Sequence, residues 1–294
     1  MPTSRAYLLL HIVVLVWGLT AVLGKSIELP TTVLVAWRTG LAAVGMALWL
    51  RARGRSLWPG WKAATRMSFV GLLIGFHWFL FFLPGKMGSI SLGLIGVATC
   101  SLWCALLEPL FIKGKKLHAL DLWVSLAVVA GVTLIGTGDP LSWPCLLVGV
   151  AAALAAAIFS YLNNFLVRHH DREHMTLYEM LGACAFMSTV SAFQSPERIM
   201  PQGWEWFWLG VLSLLCTVWA FTVYISLLRE LSVFAISLVS NLEPVWGILM
   251  AGLLYGEFSQ LHLPFWLGAF IVLVAVTFHP FWLRRNSCPA TNLS

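Results

Sequence analysis

Long stretches without a single Asp, Glu, Lys or Arg dominate the chain: 6–24, 67–85, 87–107, 122–138, 140–167, 206–228 and 258–283. Three more are interrupted once, 29–50 by Arg38, 175–196 by Glu179 and 231–256 by Glu243. A helix rises about 1.5 Å per residue, so about 20 apolar residues cross a hydrocarbon core of about 30 Å. In lipid every backbone N–H and C=O must find its partner inside the segment, and a helix does this by itself. The pattern therefore predicts an all-α integral membrane protein with ten transmembrane helices. Their expected spans are 6–24, 31–50, 67–84, 89–112, 119–137, 144–167, 175–195, 204–228, 232–255 and 262–283. The longest connection, 51–66, cannot hold a folded domain. Composition excludes the soluble alternative: 60% of residues are hydrophobic and only 10% charged, against about a quarter in soluble domains. Arg5 before the first run could suggest a signal peptide. That run has no A-x-A-like site and leads into more membrane, so a retained helix is expected.

Short connections make successive helices antiparallel, which sorts the basic residues by side. One side collects 14 Lys and Arg, from the N-terminus, 51–66, 113–116, 168–172, Arg229 and the tail. The other has 3: Lys25, Lys86 and Arg198. By the positive-inside rule both termini are cytoplasmic. The same distribution accounts for the net charge of +6 through membrane lipid, and no nucleic-acid partner is expected. The six cysteines form no CxxC pair and no zinc spacing, and most sit in apolar runs where a thiol behaves as a small hydrophobe. His170 and His174 lie in a turn expected to be solvated. No metal site, cofactor or disulfide is expected. A GxxxxGK[ST] phosphate loop is missing too, so this chain alone cannot drive transport with ATP.

The two halves echo each other. Leu-Leu-Glu-Pro at 106–109 matches Asn-Leu-Glu-Pro at 241–244, and Ala-Gly-Val-Thr at 130–133 matches Val-Ala-Val-Thr at 274–277. Val-Ala-Trp-Arg at 35–38 lines up with Thr-Leu-Tyr-Glu at 176–179. Residues 1–138 and 139–294 are read as two five-helix repeats. Five is odd, so the second repeat enters from the opposite side, the inverted plan of many secondary transporters. Ten spans in two halves, the Trp17-Gly18 pair, Arg38 in span 2 and Glu-Pro in spans 4 and 9 resemble the drug/metabolite transporter superfamily, EamA-like branch. The resemblance covers nearly the whole chain. It implies export or exchange of small metabolites, often amino acids, across a bacterial inner membrane. One departure stands out: Pro109 precedes its downstream match by 22 residues, Pro244 by 31. Glu108 is therefore expected near the cytoplasmic end of span 4 and Glu243 near mid-span, so the two need not share a role.

Ionisable side chains inside a bilayer are costly, which makes them candidates for a site. Glu243 is the foremost. It lies beside Asn241 and before Pro244, which removes one backbone hydrogen bond; the alternative is a carboxyl that only ties helices together. Arg38 lies too deep to snorkel and could hold a carboxylate with two bonds, or else pair with Glu28 or Glu243. Lys25 and Lys86 are placed at the outer rim, and Glu108 against Lys113 or Lys115. His77, Trp78, Trp103 and Trp246 could line an apolar pocket, or merely face lipid and neighbouring helices. Asn163, with Asn164, could bind solute or make interhelical hydrogen bonds. The set Arg38, His77, Trp78, Trp103, Asn163, Asn241, Glu243 and Trp246 is the expected substrate site.

The expected function is secondary transport of a small organic solute, with export or exchange of a hydrophobic amino acid as the favoured case. A membrane-embedded enzyme would need clustered acid, base or metal groups, and the intramembrane carboxyls are scattered singly. A scaffold bundle would have no use for an inverted repeat. The solute, coupling ion, direction of transport and oligomeric state stay open.

Overall fold

The structure, a computed structural model, describes residues 3–88, 90–136, 143–255 and parts of 263–275. The described residues are helical apart from short connections. In chain order the helices are α1 (Thr3–Lys25), α2 (Thr31–Ala52), α3 (Trp61–Met87), α4 (Ile90–Val97), α5 (Cys100–Phe111) and α6 (Ala119–Gly136). They continue as α7 (Trp143–Leu166), α8 (Arg172–Gln194), α9 (Glu205–Ser213), α10 (Ala220–Leu227), α11 (Val233–Ser240) and α12 (Glu243–Tyr255). A π-helical segment, Leu214–Trp219, joins α9 to α10. Six of the described stretches are long and apolar enough to cross a membrane. The chain is thus a multi-pass helical bundle. The expected tenth span lies mostly outside the described residues, but helical residues within 263–275 pack on α6, where Gly131 meets the carbonyl of Gly268.

Two expected spans are broken rather than continuous. Span 4 consists of an eight-residue α4, a turn at 98–99 and a twelve-residue α5. Span 9 consists of an eight-residue α11, a turn at 241–242 and a thirteen-residue α12. Pro244 accounts for the second break. It has no N–H for the carbonyl of Ser240 four residues back, and the amides of Asn241 and Leu242 close tighter i−3 bonds instead. Pro109 lies near the end of α5 and cannot account for the first. There the Thr99 hydroxyl donates to the Gly96 carbonyl at 2.7 Å, competing with the helical ladder. Matched at their breaks, the two spans align Glu243 with Cys100, eight residues before Glu108. The shared Glu-Pro dipeptides therefore mark different heights, as the unequal spacing downstream of each proline had suggested.

Small residues set the closest crossings. A Cβ on Gly71 of α3 would come within 2.1 Å of the Glu179 carbonyl on α8, and one on Gly182 would meet the Ser68 carbonyl at the same distance. Gly75 rests on Ala183 one turn further along. Gly96 of α4 and Gly149 of α7 are pressed together in the same way. The Gly71–Gly75 pair thus serves helix approach, while Gly256 of the similar pair in span 9 lies outside the described residues.

Polar contacts cluster at the two ends of the bundle. At one end, Arg55 from the 53–60 connection pairs with Asp171, 3.0 Å away, and with Glu173. Asp171 caps α8, accepting from the amides of Glu173 and His174. The His174 ring bridges Asp171 and the Ser56 carbonyl, and Arg229 donates to the carbonyls of Val167 and His170. At the other end Lys86 donates to the Ile27 carbonyl, while Glu205 joins the Glu28 amide to Arg198. Each grouping joins connections that lie at one end of the bundle.

Candidate functional site

The site is built around Arg38, the largest of the fully buried side chains among the described residues and 1% exposed, two turns into α2. Its Nε donates to the Thr217 hydroxyl at 2.9 Å, and that hydroxyl passes its own proton to the Leu212 carbonyl five residues back. The wide π turn explains why Thr217 is available at this height, since π turns re-aim side chains and recur at functional positions. The flat face of the guanidinium lies 3.8 Å from the centre of the Trp78 ring, a cation–π contact worth about 0.5–2 kcal/mol. Nη1 has no hydrogen-bond partner. A guanidinium carries five donors, and Thr217 uses one, so the group retains donors for a ligand.

Arg38 opens onto a cavity of about 750 Å³, counted with its mouth. Its wall is a chain of rings: Trp17 on Tyr224 at 5.4 Å, Tyr224 on Phe221 at 5.5 Å, Phe221 on Trp78 at 6.0 Å, and Phe159 on His77 at 5.3 Å. Trp17 is held by its Nε1–H on the Cys216 carbonyl, and His77 by Nδ1, 2.8 Å from the Ala152 carbonyl. The Tyr224 hydroxyl donates to Ser160, which donates to the Ala156 carbonyl.

Both helix breaks face this cavity. Val97 and Cys100 flank the first break, Ser240 and Glu243 the second, and all four line the wall. Asn241, inside the second break, donates to Ser101 just past the first, at 2.9 Å, which holds the two breaks together. Glu243 is the first residue of α12, where its carboxyl benefits from the positive end of the helix dipole. Among the described residues no ion pair within 4.0 Å joins Arg38 to Glu243 or Glu28. The cavity thus holds one cation and one carboxyl at separate points of a largely aromatic wall.

Of the eight residues expected from sequence, Arg38, His77, Trp78 and Glu243 line the cavity. Asn241 stands behind the wall at the break, and Asn163 donates to Glu179 instead. Trp103 is half-buried outside the cavity, and Trp246 is 37% exposed with its Cβ against Gly18. Glu108 is held at the end of α5, with Lys115 3.9 Å away. The cavity also recruits Cys100, Phe159, Ser160, Phe221 and Tyr224, which the sequence reading did not single out.

A multi-pass helical bundle with two broken helices meeting at a central cavity is the construction of a membrane transporter. The model of the EamA-like transporter family matches the chain twice, over residues 4–137 and 143–279. The chain belongs to that family, within the drug/metabolite transporter superfamily, and is a transporter rather than an enzyme. The fold is similar to that of a protein known from a crystal structure. The two align with a TM-score of 0.78 and 19% identity over 97% of this chain and 99% of the other. No curated protein sequence matches the chain.

Proposed function

We propose that the protein is a secondary transporter of small zwitterions with apolar side chains, hydrophobic amino acids above all, and that it exports or exchanges them across a bacterial inner membrane. One observation carries this reading: Arg38 and Glu243 line the same aromatic cavity without pairing with each other. A zwitterion fits that spacing of charge. Its carboxylate takes the free donors of Arg38, its ammonium takes Glu243, and its side chain lies among Trp17, Phe159 and Phe221.

The architecture proposed with it is ten spans in two inverted five-helix repeats, 1–138 and 139–294, with both termini in the cytoplasm. The matched eight-residue half-helices and the two successive family matches support the repeat. The contacts among same-side connections support the alternation. Transport then proceeds by rocking one repeat against the other around the breaks.

The test is binding and flux on the purified, reconstituted protein. Leucine should shift the thermal melting point and exchange across the vesicle, while isoamylamine, the same molecule without its carboxylate, should do neither. An equal response to both, or to neither, would remove the amino-acid assignment.

A further inference from the structure

Among the acids of the described residues that do not line the Arg38–Glu243 cavity, one is buried without a cation. Glu179, two turns into α8, is 0% exposed and does not line the cavity. It receives a single hydrogen bond, from Asn163 Nδ2 to its Oε2 at 3.3 Å. Its other oxygen, Oε1, is buried without a partner, and so is Oδ1 of the same Asn163. Among the described residues no charged group compensates it. Arg38 of α2 is bonded to Thr217, while Arg51 is exposed. On α3, His77 is bonded to Ala152 and Lys86 to Ile27, and Lys62 and Arg66 are exposed. Tyr224 of α10 is bonded to Ser160, and Tyr161 of α7 to the Cys104 carbonyl. On α8 itself, Glu173 is taken by Arg55 and His174 by Asp171 and Ser56.

A carboxylate held by one amide N–H and no cation is an expensive object in a buried site. A carboxylic acid is not, because it has a donor to give. The two orphaned atoms are the two that such a proton would join. With Nδ2–H on Oε2 already in place, an O–H on Oε1 directed at Oδ1 closes a two-bond ring between acid and amide, and both orphans disappear.

The pair also stands next to the solute cavity. On α7, Ala156, Phe159 and Ser160 line the cavity, and Asn163 continues the same stripe one turn further on. The bonded hydroxyls of Ser160 and Tyr224 mark the cavity end of that stripe. The backbone of α8 at Glu179 is pressed onto Gly71 of α3, the helix that carries His77 and Trp78, and α8 also packs along α2, which carries Arg38. A charge placed on or removed from Glu179 therefore acts on two of the helices that line the cavity, α2 and α3.

We infer that Glu179, with Asn163, is a proton-binding site through which solute movement is coupled to proton movement. A proton taken from water on one side forms an O–H bond on the Glu179 carboxylate. The neutral acid stabilises the packed arrangement of α7, α8 and α10 seen here. After the rearrangement that O–H bond breaks and the proton passes to water on the opposite side. The inference rests on the transporter reading above, and its test separates the two.

The full-length protein, purified in detergent, is followed by infrared difference spectroscopy while the medium is taken from about pH 5 to about pH 9, the range over which buried carboxyls titrate. A protonated-carboxyl band should appear and titrate in wild type, vanish in Glu179→Gln, and move in Asn163→Ala, which keeps the acid but removes its one donor. In vesicles clamped at zero potential, an imposed pH gradient should accelerate wild-type leucine flux. Glu179→Gln should keep leucine-for-leucine exchange and lose the response to the gradient. A wild-type band that does not titrate, one that survives in Glu179→Gln, or a Glu179→Gln protein that still follows the gradient would overturn the inference. Failure of wild type to move leucine would instead count against the amino-acid reading, and the infrared titration would still decide the proton site.

Discussion

Glu243→Gln keeps the volume of the side chain and removes its charge at the point where the second break meets the cavity. Removing one partner of a buried charged contact costs about 2 kcal/mol or more, so leucine flux should fall by about thirtyfold or more while the protein still inserts. Glu108→Gln should retain most of its flux, because Glu108 only meets Lys115, itself half exposed, at the end of α5. Flux assays on the two variants side by side would expose equal losses, which would contradict this ranking. At the bundle end, Asp171 answers to pH in a definite direction. Burial alone would raise its pKa, but the hydrogen bond and charge of Arg55, with the amide and ring of His174, hold it below the ordinary carboxylate range. Its contribution is therefore complete above about pH 4, the unfolded value, and is lost as the pH falls through the depressed one. Melting curves of the detergent-solubilised protein should drop on acidification below about pH 4, and the drop should be smaller in Asp171→Asn. Arg38, His77, Trp78 and Glu243 could be found from sequence because charge or a polar ring stands out in an apolar run. Ser160 and Thr217 could not, since a neutral hydroxyl in such a run usually just bonds to its own helix. Thr217 reaches Arg38 only because a π turn re-aims it.

Helices crossing at backbone distance make strong demands on a few glycines. Gly182→Ala would drive a methyl group toward the Ser68 carbonyl, and Gly71→Ala one toward the Glu179 carbonyl, with no flexible side chain to yield. Each should lower stability by about 1–3 kcal/mol, the usual range for overpacking, read as a lower melting temperature. Gly210→Ala, with open space around it, should leave the melt nearly unchanged. The membrane-length helices were legible as runs without charge. The breaks were not: Ala98 and Thr99 are as unremarkable as the rest of their run, and the polar residues Asn241 and Glu243 mark a candidate site without saying that the helix stops there. Only Pro244 signalled one of them. The Glu-Pro dipeptides pointed to a register that the half-helices do not share, since a short motif can recur without marking the same turn of a helix.

Across the molecule, the proposed arrangement of two five-span repeats is a matter of parity. Five spans per half require opposite sides for the midpoint and the end of the chain. Reporter fusions after Gly138 and at the C-terminus should accordingly read periplasmic and cytoplasmic. The same reading at both would contradict an odd number of spans per half and with it the inversion. The expectation of that parity comes from the alternation of basic residues, which depends on loop charge and not on any detail of packing. Where the two broken helices meet was not legible, because the bond from Asn241 to Ser101 spans 140 residues, and nothing in the sequence points from Asn241 to that serine.

The two breaks present unlike residues to the same cavity, a thiol at Cys100 and a carboxyl at Glu243. A binding chamber lined identically by both halves would accept a guest in either of two orientations related by the internal axis. This one has a single acid, on one side only, and a single guanidinium to set against it. A zwitterion can dock with its two ends in one order, which leaves its third substituent a fixed direction along the aromatic wall. Handedness follows once the aromatic wall supplies the third contact: with both charged ends pinned, D- and L-leucine direct their side chains differently, so the carrier should tell the mirror images apart in binding.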